Sequence, residues 1–186
     1  MNKIWIWTGT GVLTIALLIW YWEAPRFSGI TEGKFTRLHQ AIALEIQSLG
    51  NHEWAGEYCA GEGLGENVTL ALAPRSGFVF ERHGSGGLYD RNYGSVAVAD
   101  GRIKLSFKFK NSRSDTRGIA SSFYPVKWGE RHYLIPADDL VGFCDAIRSG
   151  SEPRKIHLGH YFLRRGDEDK KVEGKPDLPG DFANYL

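Results

Sequence analysis

Hydrophobic residues along this chain change their spacing several times, and the changes mark out its elements. From Ile4 to Trp22 there is no charged position at all: nineteen residues, IWIWTGTGVLTIALLIWYW, without a proline. As a helix rising about 1.5 Å per residue this run reaches about 28 Å, close to the hydrocarbon thickness of a bilayer. Trp5 and Trp7 at one end, with Trp20, Tyr21 and Trp22 at the other, stand where aromatic rings settle at membrane interfaces. The pattern predicts an N-terminal transmembrane helix.

A cleaved secretory signal competes for the same stretch, because Met1 to Lys3 forms a short positive n-region. The apolar run is longer than the usual h-region of about 7 to 15 residues, and Trp22-Glu23-Ala24 sets a bulky ring where cleavage needs a small residue. The expectation is an uncleaved signal anchor, single-pass, with the membrane as the first partner. Lys3 before the run and Arg26, Lys34 and Arg37 after it do not favour export by the positive-inside count. The layout of a very short tail, a signal-like run and a large β-rich domain does, and the domain is expected on the extracytoplasmic, periplasmic side.

Pro25 and Gly29 break the helix, so Glu23 to Gly33 reads as a linker. Apolar residues then recur at Phe35, Leu38, Ile42, Ile46 and Leu49, one face of a helix, with Gly50-Asn51 as its stop. With few basic residues, this amphipathic helix is expected to pack on the following domain rather than on lipid.

Beyond Trp54 the spacing becomes alternating. Val68, Leu70 and Leu72 alternate with smaller residues, and Pro74-Arg75-Ser76-Gly77 turns the chain into Phe78 to Arg82. From Arg102 to Lys110, Ile103, Leu105, Phe107 and Phe109 take one face and the basic residues with Ser106 the other. Asp100-Gly101 is a two-residue hairpin signal pairing that strand with Ser95 to Ala99. The polar run Asn111 to Gly118 reads as an exposed loop. Ser122 to Trp128 and Arg131 to Ile135 form another hairpin at Gly129-Glu130. Pro136 then opens a helix over about Ala137 to Ser149, whose buried face is Leu140, Phe143, Cys144 and Ile147. A last strand falls near His157 to Arg165. The charged tail from Gly166 is expected to be mobile, with only Phe182 to Leu186 apolar enough to dock.

These elements predict a mainly β (α+β) fold: an antiparallel meander of about seven or eight strands curling into a barrel or half-barrel, with one helix before it and one late. The predicted organisation is an anchor over 1–22, linker and helix over 23–50, a β-rich domain over 51–165 and a tail over 166–186. Composition adds an exclusion. Of 23 basic residues only Lys3 precedes Trp22, leaving 22 against 22 acidic ones, so no global positive field draws the domain to nucleic acid. Cys59 and Cys144 can form at most one disulfide. In an exported domain that bridge closes a loop of about 85 residues and stabilises by a few kcal/mol; the alternative is two small buried hydrophobes.

Trp54-Ala55-Gly56-Glu57-Tyr58, with the alternating strands and Asp-Gly hairpin after it, resembles the opening of small lipocalin-like barrels, including the barrel of bacterial envelope lipoproteins. The resemblance covers about 55 residues, roughly 54–110. It departs from the lipocalin pattern in setting glycine after the tryptophan, and from the envelope barrels in having Cys59 alone where they carry Cys-x-x-Cys. It implies a barrel with a small ligand cavity and assigns no functional residue.

Candidate chemistry is thin. The loop Gly61 to Asn67 offers Glu62, Glu66 and Asn67 to a ligand, but neither the phosphate-loop nor the EF-hand spacing is met. His83-Gly84-Ser85-Gly86-Gly87 is similar to a nucleophile elbow without its following helix, and reads instead as a wide hairpin loop whose Tyr89, Arg91 and Tyr93 line a binding rim. His157 and His160, three apart on a strand, point to opposite faces and make no metal site, and no cofactor is expected. The stripe Arg102, Lys104, Lys108 and Lys110 solvates the sheet or discourages edge pairing, with contact to acidic lipid headgroups or an anionic envelope polymer as the sharper alternative. These features point to a non-catalytic, membrane-tethered module that binds a partner protein or a small apolar ligand at the cell envelope. An envelope hydrolase using Ser85 or the histidines with Asp90, Asp138 or Asp139, and a structural subunit of a membrane assembly, are the alternatives.

Overall fold

The structure, a computed structural model, describes residues 31–61, 65–108, 119–150, 161–180, 182 and 186. The expected anchor Ile4–Trp22, its linker to residue 30, Glu62, Phe109, Lys110, the loop 111–118, His157 and His160 lie outside the described residues. Among the described residues, no helix is long and apolar enough to cross a membrane.

Alternation dominates from Trp54 onward, and the chain forms a closed barrel of eight antiparallel strands in sequence order. The strands are β1 (Gly56–Gly61), β2 (Asn67–Ala73), β3 (Gly77–Gly84), β4 (Gly87–Ala99), β5 (Arg102–Phe107), β6 (Ser122–Trp128), β7 (Arg131–Pro136) and β8 (Phe162–Arg164). β8 closes on β1 through Tyr58↔Arg164 and Cys59↔Leu163. One face of each strand points inward, and Tyr58, Leu70, Leu72, Phe78, Phe80, Ile103, Phe123, Leu134 and Phe162 are fully buried there. Phe78 meets Phe107, and Phe123 meets Phe162, edge to face at 5.1 and 5.8 Å.

The expected turns are present. Asp100 and Gly101 both take positive φ, 56° and 68°, the geometry of a tight hairpin. Ser85 and Gly86 also form a two-residue turn, because Gly84 pairs with Gly87. The segment read from sequence as a wide loop is therefore continuous strand, interrupted only by a bulge between Arg82 and His83. The glycines had suggested a loop; here they tighten the turn.

Two helices lie outside the barrel. α1 (Glu32–Leu49) buries Phe35 and Ile42, with Leu38 and Ile46 beside them, against Ala71 and Ala73 of β2 and Val79 of β3. The small alanines let the helix sit close, as the amphipathic pattern required, although Leu49 is left exposed at the helix end. The Glu45 carboxylate accepts N–H bonds from Arg75 (2.9 Å) and Ser76 (2.7 Å), fastening the helix to the β2–β3 turn. A 3-10 turn, Ala137–Asp139, leads into α2 (Leu140–Arg148), which buries Leu140, Phe143 and Cys144 against Val126, Tyr133, Ile135 and Leu163.

Two expectations are corrected. The segment after Gly166, expected to be loose, runs across β6 and β7: Arg131 donates to the Lys170 carbonyl (2.7 Å) and the Glu168 carbonyl (2.9 Å), Trp128 donates to the Gly174 carbonyl (2.9 Å), Asp177 bridges Lys127, and Leu178 is buried. High charge suggested mobility, but backbone carbonyls, which composition does not register, carry the docking. Cys59 and Cys144 are free thiols rather than a disulfide. Cys59 faces outward on β1, where its sulfur accepts from Arg165 (3.5 Å); Cys144 sits under α2, where burial pushes its thiol pKa up.

Candidate functional site

The up-and-down order gives the barrel two unlike ends. Tight turns at 74–76, 100–101 and 129–130 gather at one, the turn end. The 85–86 turn and the strand ends joined by the longer connections, Gly61 to Asn67, Phe107 to Ser122 and Pro136 to Phe162, lie at the other, the loop end. Functional residues of β-barrels concentrate on such longer connections.

At the loop end the inward row changes from apolar to polar. On β3, Phe78 and Phe80 are followed two residues on by Arg82, which keeps the inward phase and is 8% exposed. Its guanidinium pairs with Glu66, two residues before the inward Val68. Across the ladder, Asp90 stands opposite Arg82 and Asn92 opposite Phe80. Both turn a side-chain oxygen onto the next backbone N–H, Asp90 to Arg91 and Asn92 to Tyr93, each at 2.8 Å. The mouth on this side is thus a polar rim, with Arg82 paired to Glu66 and Asp90 adding a second carboxylate, above an aromatic core.

The other residues singled out from sequence separate. Asn67, opposite Gly61 and His83, lies one step out of phase with the inward residues. Tyr89 folds over its own hairpin: its hydroxyl lies 3.5 Å from that of Ser85 and accepts the Gly86 N–H at 3.2 Å, and these bonds lower its pKa. Arg91 and Tyr93 do not line a rim. The Arg91 guanidinium holds Glu81 (Nη2 at 2.5 Å, Nε at 3.0 Å) and Glu32 of α1 (2.5 Å), and stacks 4.2 Å from the Phe35 ring. Burial pulls its pKa down, but the bonds to Glu32 and Glu81 outweigh this and raise it. Tyr93 accepts the Lys34 ammonium at 2.6 Å. Both residues secure the start of α1.

The turn end holds a constellation that sequence reading missed. Asp167, 1% exposed, accepts the His132 backbone N–H (2.8 Å), faces His132 Nδ1 (2.9 Å) and binds the Lys170 ammonium (2.5 Å). Burial works against its charge, yet the Lys170 and His132 bonds hold its pKa below the usual carboxylate range. Burial, together with the charges of Arg164 and Lys127, lowers the His132 pKa more than Asp167 raises it. A neutral imidazole donating Nδ1–H to a charged carboxylate satisfies both directions. No local motif announces the pair, since the partners are 35 residues apart.

A His–Asp pair of this kind orients a base when a nucleophile stands at Nε2. Ser85 is at the opposite end of the barrel, Asp90 is turned onto its own strand, and Asp139 lies beside Tyr161 and Gly142. Among the described residues, no group of three His, Cys, Asp or Glu side chains is arranged to hold a metal. A groove of about 630 Å³ borders the pair, lined by Trp128, Arg131, Ile147 and residues 169–173. Compared with known proteins, the chain matches no protein-family model, no curated protein and no solved structure.

Proposed function

We propose that this chain is a non-catalytic binding module, held at a membrane by Ile4–Trp22, that engages a partner protein through the loop end of its barrel. The observation that carries the reading is the filling of the barrel. Tyr58, Phe78, Phe80, Phe123 and Phe162 occupy the interior, each no more than 1% exposed. An apolar ligand entering there would have to displace packed rings, at a cost of several kcal/mol. The polar mouth, Glu66 with Arg82, is the feature left for recognition at that end. Among the described residues the hydrolase alternative gains no support: Ser85 stands at the opposite end of the barrel from the His132–Asp167 pair, and Asp90 is turned onto its own strand.

The anchor supports the tethered part of the reading by its length, lack of charge and aromatic ends, and the periplasmic side remains the expected one. Kinship with small lipocalin-like barrels agrees with the closed eight-stranded meander and with Trp54 packing into its core. The test is site-specific photocrosslinking of the full chain in intact membranes, with probes replacing Tyr89 at the loop end and the exposed Leu44 of α1 near the turn end. One protein adduct at Tyr89 and none at Leu44 is expected. Adducts to lipid alone at Tyr89, or a stoichiometric apolar molecule retained on the purified chain, would overturn the partner assignment.

A further inference from the structure

Among the described residues, the outer wall of the barrel is covered in two places, by α1 over β2 and β3, and by α2 with the C-terminal segment over β6 to β8. Between them β4 and β5 face outward. Ser95, Ala97, Lys104, Ser106 and Lys108 are exposed there, and Ala99 and Arg102 are half-buried. Register sets Ser95 beside Ser106, Ala97 beside Lys104 and Ala99 beside Arg102. The wall carries small side chains along β4 and a row of cations along β5. Among the described residues its one carboxylate is Asp100 in the turn, 3.5 Å from the Lys104 ammonium. Edge protection does not explain these cations, because closure leaves the barrel without a free edge.

The N-terminal chain joins the domain beside this same wall. Glu32 and Lys34, in the first turn of α1, bind Arg91 and Tyr93 of β4, and the Tyr93 carbonyl receives the Lys108 N–H at 2.8 Å. Trp22 is nine residues before Thr31, the residue preceding α1. That chain spans at most about 30 Å when extended, so a bilayer holding Ile4–Trp22 lies within reach of the wall.

We propose that the β4–β5 outer wall docks on anionic lipid headgroups of the bilayer to which the chain is tethered; the inference rests on the anchor of the preceding reading. Each basic side chain near an anionic surface biases docking by about fivefold, so Arg102, Lys104 and Lys108, less the opposing charge of Asp100, give on the order of twenty-fivefold. Tethering makes such a bias sufficient, because the wall is already at high effective concentration near the lipid. Ala97 and Ser95 add little bulk, which lets the cations of β5 approach the headgroup plane.

The experiment uses the full chain in nanodiscs of phosphatidylcholine alone or with about 30% phosphatidylglycerol, a share chosen to give a strongly negative surface. Lysines are modified with a water-soluble amine reagent and quantified by mass spectrometry, with Lys171, exposed on the C-terminal segment, as the internal reference. Lys104 and Lys108 are expected to react at least about threefold more slowly in the anionic discs, and to recover in high salt, as screening requires. Equal reactivity in both disc types, with the chain firmly in the discs, overturns the docking while leaving the anchor intact. A chain that fails to stay in the discs overturns the anchor, and the docking with it. Protection in neutral discs on adding an acidic polymer, without protection by anionic lipid, reassigns the wall to that polymer and overturns the lipid proposal.

Discussion

The guanidinium of Arg164 caps the hydroxyl of Tyr58 at the turn end of the barrel, with Nη2 at 3.1 Å and Nε at 3.3 Å from the phenol oxygen. The same guanidinium donates to the carbonyls of His52 (3.0 Å) and Glu53 (2.9 Å), and the Tyr58 hydroxyl donates to the Trp54 carbonyl at 2.9 Å. β1, β8 and the segment before β1 are therefore closed by one charge. Burial, opposed by Arg164, pushes the Tyr58 pKa to about 12. Arg164→Met keeps much of the side-chain volume but strands three acceptors, and is expected to cost about 2 to 4 kcal/mol in urea unfolding. Tyr58→Phe, which leaves the arginine its carbonyl partners, is expected to cost only about 1 kcal/mol. Equal losses in the two variants would show that Arg164 acts through the phenol alone.

Much of this barrel was legible in the sequence because a period of two is a local signal. The runs at Val68 to Leu72 and Arg131 to Ile135, and the Asp-Gly and Gly-Glu turns, stand where the pattern set them, and the run expected over Arg102 to Lys110 is strand as far as Phe107. Partnerships across the chain were not legible. Tyr89, Arg91 and Tyr93 read as the rim of one wide hairpin loop, but the segment is strand, and the start of α1 binds Arg91 and Tyr93 while Tyr89 is left exposed. Asp167 looked like one acid in a charged tail, since its burial against His132 depends on closure of the barrel 35 residues away.

The His132–Asp167 contact makes stability depend on pH, with a sign that follows from both shifts. Each group has a folded-state pKa below its ordinary value, so at falling pH the unfolded chain binds protons that the folded chain resists. His132 begins to contribute as pH drops through its ordinary value of about 6.5, and Asp167 as pH drops through about 3.9. The thermal midpoint is expected to decline from pH 7 to pH 5. His132→Asn should flatten that decline by removing the titrating ring, whereas Asp167→Asn should lower stability at pH 7 by about 2 to 4 kcal/mol by leaving Lys170 and the His132 amide poorly served. A decline unchanged in His132→Asn would assign it to other groups.

Gly94 lies on β4 opposite Phe78 of β3 and Phe107 of β5. A Cβ built there would stand 1.9 Å from the Ser106 carbonyl oxygen and 2.9 Å from the Phe78 ring. The backbone partner cannot move without breaking the β4–β5 ladder, so relaxation must come from the strand itself. Gly94→Ala is expected to cost at least about 2 kcal/mol, more than the entropy change of a glycine substitution can return. Gly87→Ala is the comparison: φ is positive but no atom lies within 4 Å of the added carbon, so only backbone strain of about 1 kcal/mol should appear. Chemical denaturation of the two variants separates close approach from conformational strain.

Arg91 decides whether α1 stays on the barrel at its N-terminal turn. Its two carboxylate partners differ in setting: the Glu81 side chain is 21% exposed, that of Glu32 74%. Solvent screens the Glu32 pair, so Glu32→Gln is expected to cost under about 1 kcal/mol. Glu81→Gln weakens the less exposed partner and is expected to cost about 1 to 3 kcal/mol. Arg91→Met removes both pairs and the stacking on Phe35, leaving Glu81 without its counter-charge between helix and sheet. Amide hydrogen exchange in residues 35 to 39 should then accelerate by at least about tenfold, while residues 42 to 46, held by Ile42 and by Glu45 at the β2–β3 turn, change less. Uniform acceleration along the whole helix would mean that apolar contact alone sets its attachment. The expected gradient instead identifies Arg91 as the fastener at the end of α1 that leads toward the apolar N-terminal segment.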